Sequence, residues 1–131
     1  MNHAQLIASC ITQLALIQFV FFGALVAKAR VALTVPAPLT TGPEAFERLS
    51  RVHLNTLERL AIFLPLLWMA TLHTPGLWLA PAGLLFIAGR FAYWRGYVRE
   101  PAARKGGNIM SMIAIALLLV LNIIGLVRAL A

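Results

Sequence analysis

The chain has 131 residues, 61% of them hydrophobic and only 11% charged, with a formal net charge of +7. A soluble domain carries about 25% charged residues, so this composition excludes an ordinary water-soluble globule and points to a bilayer. The positive charge does not indicate nucleic acid, because the cations gather between apolar segments instead of spreading over a polar surface.

The pattern predicts an all-α membrane protein, a single domain of four transmembrane helices at about residues 4–30, 43–73, 77–98 and 105–129. Crossing a hydrocarbon core of ~30 Å takes about 20 helical residues. The first apolar run, Ala4 to Ala27, is uncharged and long enough. It lacks a basic leading region and runs into Lys28-Ala29-Arg30 rather than a cleavage site, so it reads as a retained helix and not a signal peptide. Cys10 lies inside it with no second cysteine to pair with, and reads as a buried bystander.

A connecting loop follows from Leu33 to Gly42, with Pro36 and Pro38. Thr41 and Glu44 have the spacing of a capping box, and Pro43 suits a first helical turn. Pro65 predicts a kink within the second helix.

The middle spans are short of apolar residues. Only Leu60 to Leu72 separates Arg59 from the His73-Thr74-Pro75-Gly76 turn, and only Leu77 to Gly89 separates that turn from Arg90. Each run covers about 20 Å at helical rise. Spanning therefore draws Asn55, Glu58 and Arg59 into the bilayer on one helix, and Arg90, Tyr93 and Tyr97 on the next. Ionisable groups at that depth face the protein interior and mark a functional site by default. Arg59 and Arg90 have a second option, snorkelling to the headgroups; Glu58, a short anion, does not.

The last span, Gly106 to Val127, is again uncharged, and Gly106-Gly107 reads as easing the start of its helix. Ten of the eleven cations fall on the side bearing the first and third connections; only Arg128 is on the other. That asymmetry places both connections in the cytoplasm and both termini outside. A bacterial inner membrane is the expected location, with the endoplasmic reticulum giving the same asymmetry.

Arg48, Arg51, Asn55, Glu58 and Ile62 follow spacings of three and four and share one helix face. Arg90, Tyr93 and Tyr97 do so on the third helix, and Arg99, Arg104 and Lys105 follow close by. Such a set offers guanidinium forks for carboxylates, a carboxylate for an ammonium, and phenols and an amide for hydrogen bonds. It suits a small, acidic, peptide-like zwitterion such as glutathione, and a nearby arginine would favour a thiolate. It equally suits an interhelical hydrogen-bond network without a ligand. No metal constellation is expected, since His3, His53 and His73 lie in separate regions of the sequence.

The stretch from Phe46 to Glu58, FERLSRVHLNTLE, and the later Gly89 to Tyr97, GRFAYWRGY, together resemble the MAPEG family, the membrane-associated proteins in eicosanoid and glutathione metabolism. The likeness extends upstream through PLTTGPEAFER and runs in motif over about residues 28–105. The resemblance implies a four-helix subunit of a homotrimer that binds glutathione between subunits near the cytoplasmic face. It carries Arg30, Arg51, Asn55, Glu58, Tyr93 and Tyr97 over as glutathione-contacting positions, and Arg104 as the thiolate-activating arginine. It further implies a glutathione transferase acting on lipophilic electrophiles from the bilayer, with peroxidase action on lipid hydroperoxides as an added activity. A non-catalytic lipid-binding role is the alternative within the family. The chain departs from the pattern at Val31, where a second arginine is found in the leukotriene synthase, at His53, where a glutamine is found, and at Arg59, where an aromatic follows the glutamate.

Overall fold

In the computed structural model, which covers residues 1–131, four long helices follow one another with no strand. They are α1 (His3–Ala32), α2 (Glu44–Ala70), α3 (Gly76–Arg99) and α4 (Arg104–Leu130). A single 3₁₀ turn, Pro101–Ala103, links α3 to α4. The helices α1, α3 and α4 are each long and apolar enough to cross a membrane by composition alone. The protein is an integral membrane protein built as a four-helix bundle.

Local chemistry explains where the helices begin and end. Asn2 caps α1: its side chain accepts from the Gln5 amide at 2.8 Å, while the Asn2 amide donates to Gln5 Oε1 at 3.0 Å. This reciprocal box satisfies two otherwise orphaned donors. The expected box at Thr41 and Glu44 does not form, because the N-cap of α2 is Pro43, two residues later than a Thr41 cap requires. Glu47 reaches back instead and accepts from the Gly42 amide at 3.0 Å. The α3 helix stops at Glu100, which is extended (φ −152°, ψ 131°) because it precedes Pro101.

Two glycines hold α3 against α4. A Cβ on Gly107 would lie 2.1 Å from the Tyr93 backbone nitrogen, and one on Gly89 would lie 2.6 Å from Ser111 Oγ. The backbones meet only because neither residue has a side chain, the usual route to close helix pairing in membranes. Gly106, by contrast, has open space around it. The expected function of the Gly-Gly pair as a helix start is therefore replaced by a packing role for Gly107 alone.

The core runs along the bundle axis. Phe63 of α2 and Phe86 of α3 stack with centroids 3.9 Å apart and planes 7° apart, amid buried Ile11, Leu67, Leu79 and Leu118. Interhelical hydrogen bonds supplement this packing. The Asn122 amide donates to the Leu66 carbonyl, besides that of Leu118 on its own helix; Gln18 donates to the Ile87 carbonyl, and Trp68 donates to Thr12. Large apolar side chains such as Ile17, Val20 and Leu126 remain exposed, as a lipid-facing surface requires. Cys10 is exposed as well, on the outer side of α1, and is not the buried residue its apolar surroundings suggested.

A polar cleft at the charged end of the bundle

Neither middle helix breaks at its charged residues. The α2 helix continues through Asn55, Glu58 and Arg59, and α3 through Arg90, Tyr93 and Tyr97. Both carry these side chains toward the start of α4, with Arg90 and Tyr93 buried and Glu58 exposed.

Arg90 lies deepest and is fully buried. Its Nε donates to Ser111 Oγ at 2.8 Å, and Ser111 in turn donates to the Gly107 carbonyl at 3.0 Å. One Nη donates to Asn55 Oδ1 at 2.9 Å, while the other, also buried, meets no acceptor. No carboxylate pairs with it; the single ion pair in the chain joins Arg48 to Glu44. Snorkelling is thus excluded for Arg90, and the reason is geometric: the Gly89 and Gly107 contact draws α4 over its side chain. The sequence placed Arg90 in the converging set, from its position at the foot of a thirteen-residue apolar run, but the family resemblance did not carry it over as a glutathione contact.

Asn55 passes the network outward, donating from its side-chain amide to Glu58 Oε2 at 3.3 Å. On the α3 side the Arg90 guanidinium lies over the Tyr93 ring at 4.5 Å. The Tyr93 and Tyr97 rings sit 5.6 Å apart, and the Arg104 guanidinium covers Tyr97 at 4.9 Å. Two cations therefore bracket two neighbouring phenols whose planes are tilted by 49°, a favourable arrangement of charge over ring faces.

These side chains surround a cleft of about 670 Å³. Arg51, Asn55, Glu58, Tyr93, Tyr97 and Arg104 all line it, joined by Leu54, Arg59, Lys105 and Asn108. Six of the seven residues singled out from the sequence thus share one cleft. Arg30 is not with them. Its Nη1 donates to the Leu39 carbonyl at 2.9 Å, its guanidinium lies 4.8 Å over Phe46, and it lines a separate hollow with Val31, Thr34, Val35 and Pro36.

Arg48, which the spacing placed on the same helix face, does not line the cleft but braces it. Its Nη1 donates to the carbonyls of Val98 and Arg99 at 3.1 and 3.3 Å, while Glu44 holds the same guanidinium. These are orphan acceptors at the C-terminus of α3, just before the turn that sets Arg104. At the opposite end, His3 and His73, far apart in sequence, line one hollow with Thr71, Thr74 and Gly76. No group of three or more metal-binding side chains forms there or elsewhere.

A model of the MAPEG family matches residues 7–124, most of the chain and all of this cleft. The chain belongs to the MAPEG family. As a MAPEG protein it is similar to leukotriene C4 synthase of Bos taurus, 36% identical over 125 residues that cover 95% of this chain and 83% of that one. It is also similar to microsomal glutathione S-transferase 2 of Mus musculus, 35% identical over 105 residues that cover 80% and 71% of the two chains. An uncharacterized protein of Synechocystis sp. is 36% identical over 110 residues. Two differently named enzymes at 36% and 35% identity place this MAPEG chain in the family without assigning it the reaction of either.

Proposed function

We propose that the protein is an integral-membrane glutathione transferase whose cleft holds glutathione as the thiolate and presents it to lipophilic electrophiles from the bilayer. The observation that carries this reading is the composition of the cleft: four cations, Arg51, Arg59, Arg104 and Lys105, face a single carboxylate, Glu58. Glutathione has two carboxylates, one ammonium and an ionisable thiol. The arginines suit its carboxylates, Glu58 suits its ammonium, and Asn55, Tyr93 and Tyr97 supply hydrogen bonds to the peptide. Arg104, held over Tyr97 at the mouth, favours the thiolate over the thiol. The name of the similar microsomal glutathione S-transferase 2 supports the same co-substrate.

The reaction on this reading is nucleophilic substitution. The thiolate sulfur forms a bond to the electrophilic carbon, and the leaving group departs with its electron pair. With an epoxide the ring oxygen leaves and takes up a proton. Holding both reactants at one interface supplies proximity, and the cations stabilise the sulfur anion without reorganisation. Peroxidase action would use the same thiolate: two glutathione molecules become the disulfide while a hydroperoxide is reduced to an alcohol and water.

Arg30 completes the set only if another subunit brings it. A homotrimer, with α1 of one subunit beside the cleft of the next, accounts for its separation from the cleft within a single chain. The cation asymmetry supports a cytoplasmic site.

The test is direct. Protein purified in detergent should show the ultraviolet absorbance of a thiolate when glutathione is added, and should conjugate an aryl halide. Absence of both in the wild type would sink the enzyme reading and favour a non-catalytic lipid-binding role. An unchanged thiolate signal in Arg104→Ala would remove only the role given to that residue.

A further inference from the structure

Among the cations that line the cleft, Arg59 is the one with a buried nitrogen that meets no acceptor. It stands on α2 beside Glu58, half-buried; its Nε is buried with no acceptor, and Nη2 reaches only Asn108 Oδ1, at a long 3.5 Å. Lys105 lies one turn before Asn108 on α4 and lines the same cleft. Glutathione bound as the thiolate would bring two net negative charges against a cleft with three net positive ones, so one cation stays unbalanced even when the site is full. A buried guanidinium nitrogen without an acceptor is unfavourable, and an arriving anion relieves it.

Position selects the kind of anion. Arg59 lies eight residues beyond Arg51 along α2, about 12 Å deeper from the charged end at helical rise. Three residues past it on α2, Ile62 is exposed; four residues past Asn108 on α4, Met112 is exposed too. One turn deeper than Arg59 and Asn108, the exposed Ile62 and Met112 offer an apolar track along α2 and α4. A free soluble anion would gain nothing from that track.

Resting on the glutathione reading only for the identity of the other occupant, we propose that Arg59, with Asn108 and Lys105, forms an anion subsite that receives the acidic group of a membrane-borne amphiphile. The acidic group is a carboxylate or phosphate, and its apolar chain lies along Ile62 and Met112. It comes either from an acidic lipophilic second substrate or from an anionic phospholipid. In the first case Arg59 determines specificity, choosing acidic over neutral electrophiles.

The test needs no glutathione and no turnover, so it stands or falls apart from the transferase reading. Binding of labelled hexadecanoic acid and of its methyl ester is measured by scintillation proximity on protein in phosphatidylcholine nanodiscs. The wild type should bind the acid about tenfold more tightly than the ester, the size of one charge-assisted contact. Arg59→Gln should bring the two within about twofold, and Arg59→Lys should keep most of the preference. Equal binding of acid and ester by the wild type, or an undiminished preference in Arg59→Gln, would overturn the proposal. Because Arg59→Gln could disturb the helix pair, Lys105→Gln on the exposed start of α4 provides a second reading and should lower the preference in part; a preference unmoved in both variants also overturns it. Displacement of the acid by added phosphatidylglycerol identifies the headgroup as a natural occupant, and no displacement identifies the acidic substrate. Equal displacement by added phosphatidylcholine would contradict anion recognition altogether.

Discussion

Substituting Asn55 by Leu tests the network at its centre. In the wild type the Asn55 carbonyl accepts from Arg90 at 2.9 Å and its amide donates to Glu58 at 3.3 Å. Leucine preserves the bulk of the side chain and removes both bonds. The larger loss falls on Arg90, which already has one buried Nη without an acceptor and would then have two. Leaving a buried donor unsatisfied costs about 1–3 kcal/mol, and the charge pushes the figure toward the upper end. Interhelical hydrogen bonds in membranes average nearer ~0.6 kcal/mol, because the unfolded helices also find partners. A cost of about 2 kcal/mol is therefore expected for Asn55→Leu, since Arg90 is fully buried and cannot turn to lipid headgroups. Replacing Arg90 by Met in the same chain removes the charge that the first substitution stranded. The double variant should lose less than the sum of the singles, with a coupling of about 1–2 kcal/mol. The assay is reversible unfolding in mixed micelles of a mild and a denaturing detergent, followed by far-ultraviolet circular dichroism. Additive single effects, or an Asn55→Leu cost below about 0.5 kcal/mol, would refute the claim that Asn55 satisfies a buried charge.

The adjacent glycines should separate cleanly. Gly107→Val would drive α4 from α3, because even the Cβ meets the Tyr93 backbone at 2.1 Å, and it should cost about 3 kcal/mol or more in the same assay; Gly106→Ala, with open space, should be neutral or mildly stabilising. Equal effects at the two positions would contradict the close approach. Removing the brace with Arg48→Met should leave the Val98 and Arg99 carbonyls uncapped and fray the end of α3. Hydrogen exchange at the Glu100 and Ala103 amides, which bond Gly96 and Glu100, should rise about tenfold while exchange in the core around Phe63 and Phe86 stays unchanged. Uniform exchange across α3 would show that Arg48 supports the bundle as a whole and not this junction.

What could be read in the sequence was set by periodicity and depth. Spacings of three and four placed Arg51, Asn55 and Glu58 on one face, and the short apolar runs required their helix to carry charge inward; the cleft has that composition. Contacts between helices were not legible. Whether Arg90 reaches lipid or protein depends on how closely α4 approaches α3, and that is set by Gly89 and Gly107, residues whose importance lies in atoms they lack. The capping of α2 failed for a related reason. Thr41 and Glu44 have the right spacing, but the helix begins after Pro43, and Glu47 offered a competing acceptor to the Gly42 amide. Arg48 lay on the right face, yet its partners are backbone carbonyls fifty residues away, which no side-chain pattern reveals.

The deep placement of Arg90 bears on the cleft above it. An arginine buried with one nitrogen unpartnered is a poor stabilising device, since well-packed apolar residues of similar volume would serve the fold at least as well. Its position against the Tyr93 ring gives it another role. The charge there raises the positive potential of the cleft floor without exposing a cation that a surface carboxylate could neutralise. Asn55 and Ser111, neither of them an acid, accept from it, and these neutral groups satisfy the geometry while leaving the field intact. A carboxylate in place of Asn55 would have formed an ion pair and cancelled the potential. Glu58, one step farther out, is reached only through the Asn55 amide, so its own charge stays available to whatever the cleft receives. The order of arginine, amide and carboxylate from the interior to the mouth thus keeps both signs of charge available to one ligand, as a zwitterion with excess negative charge requires.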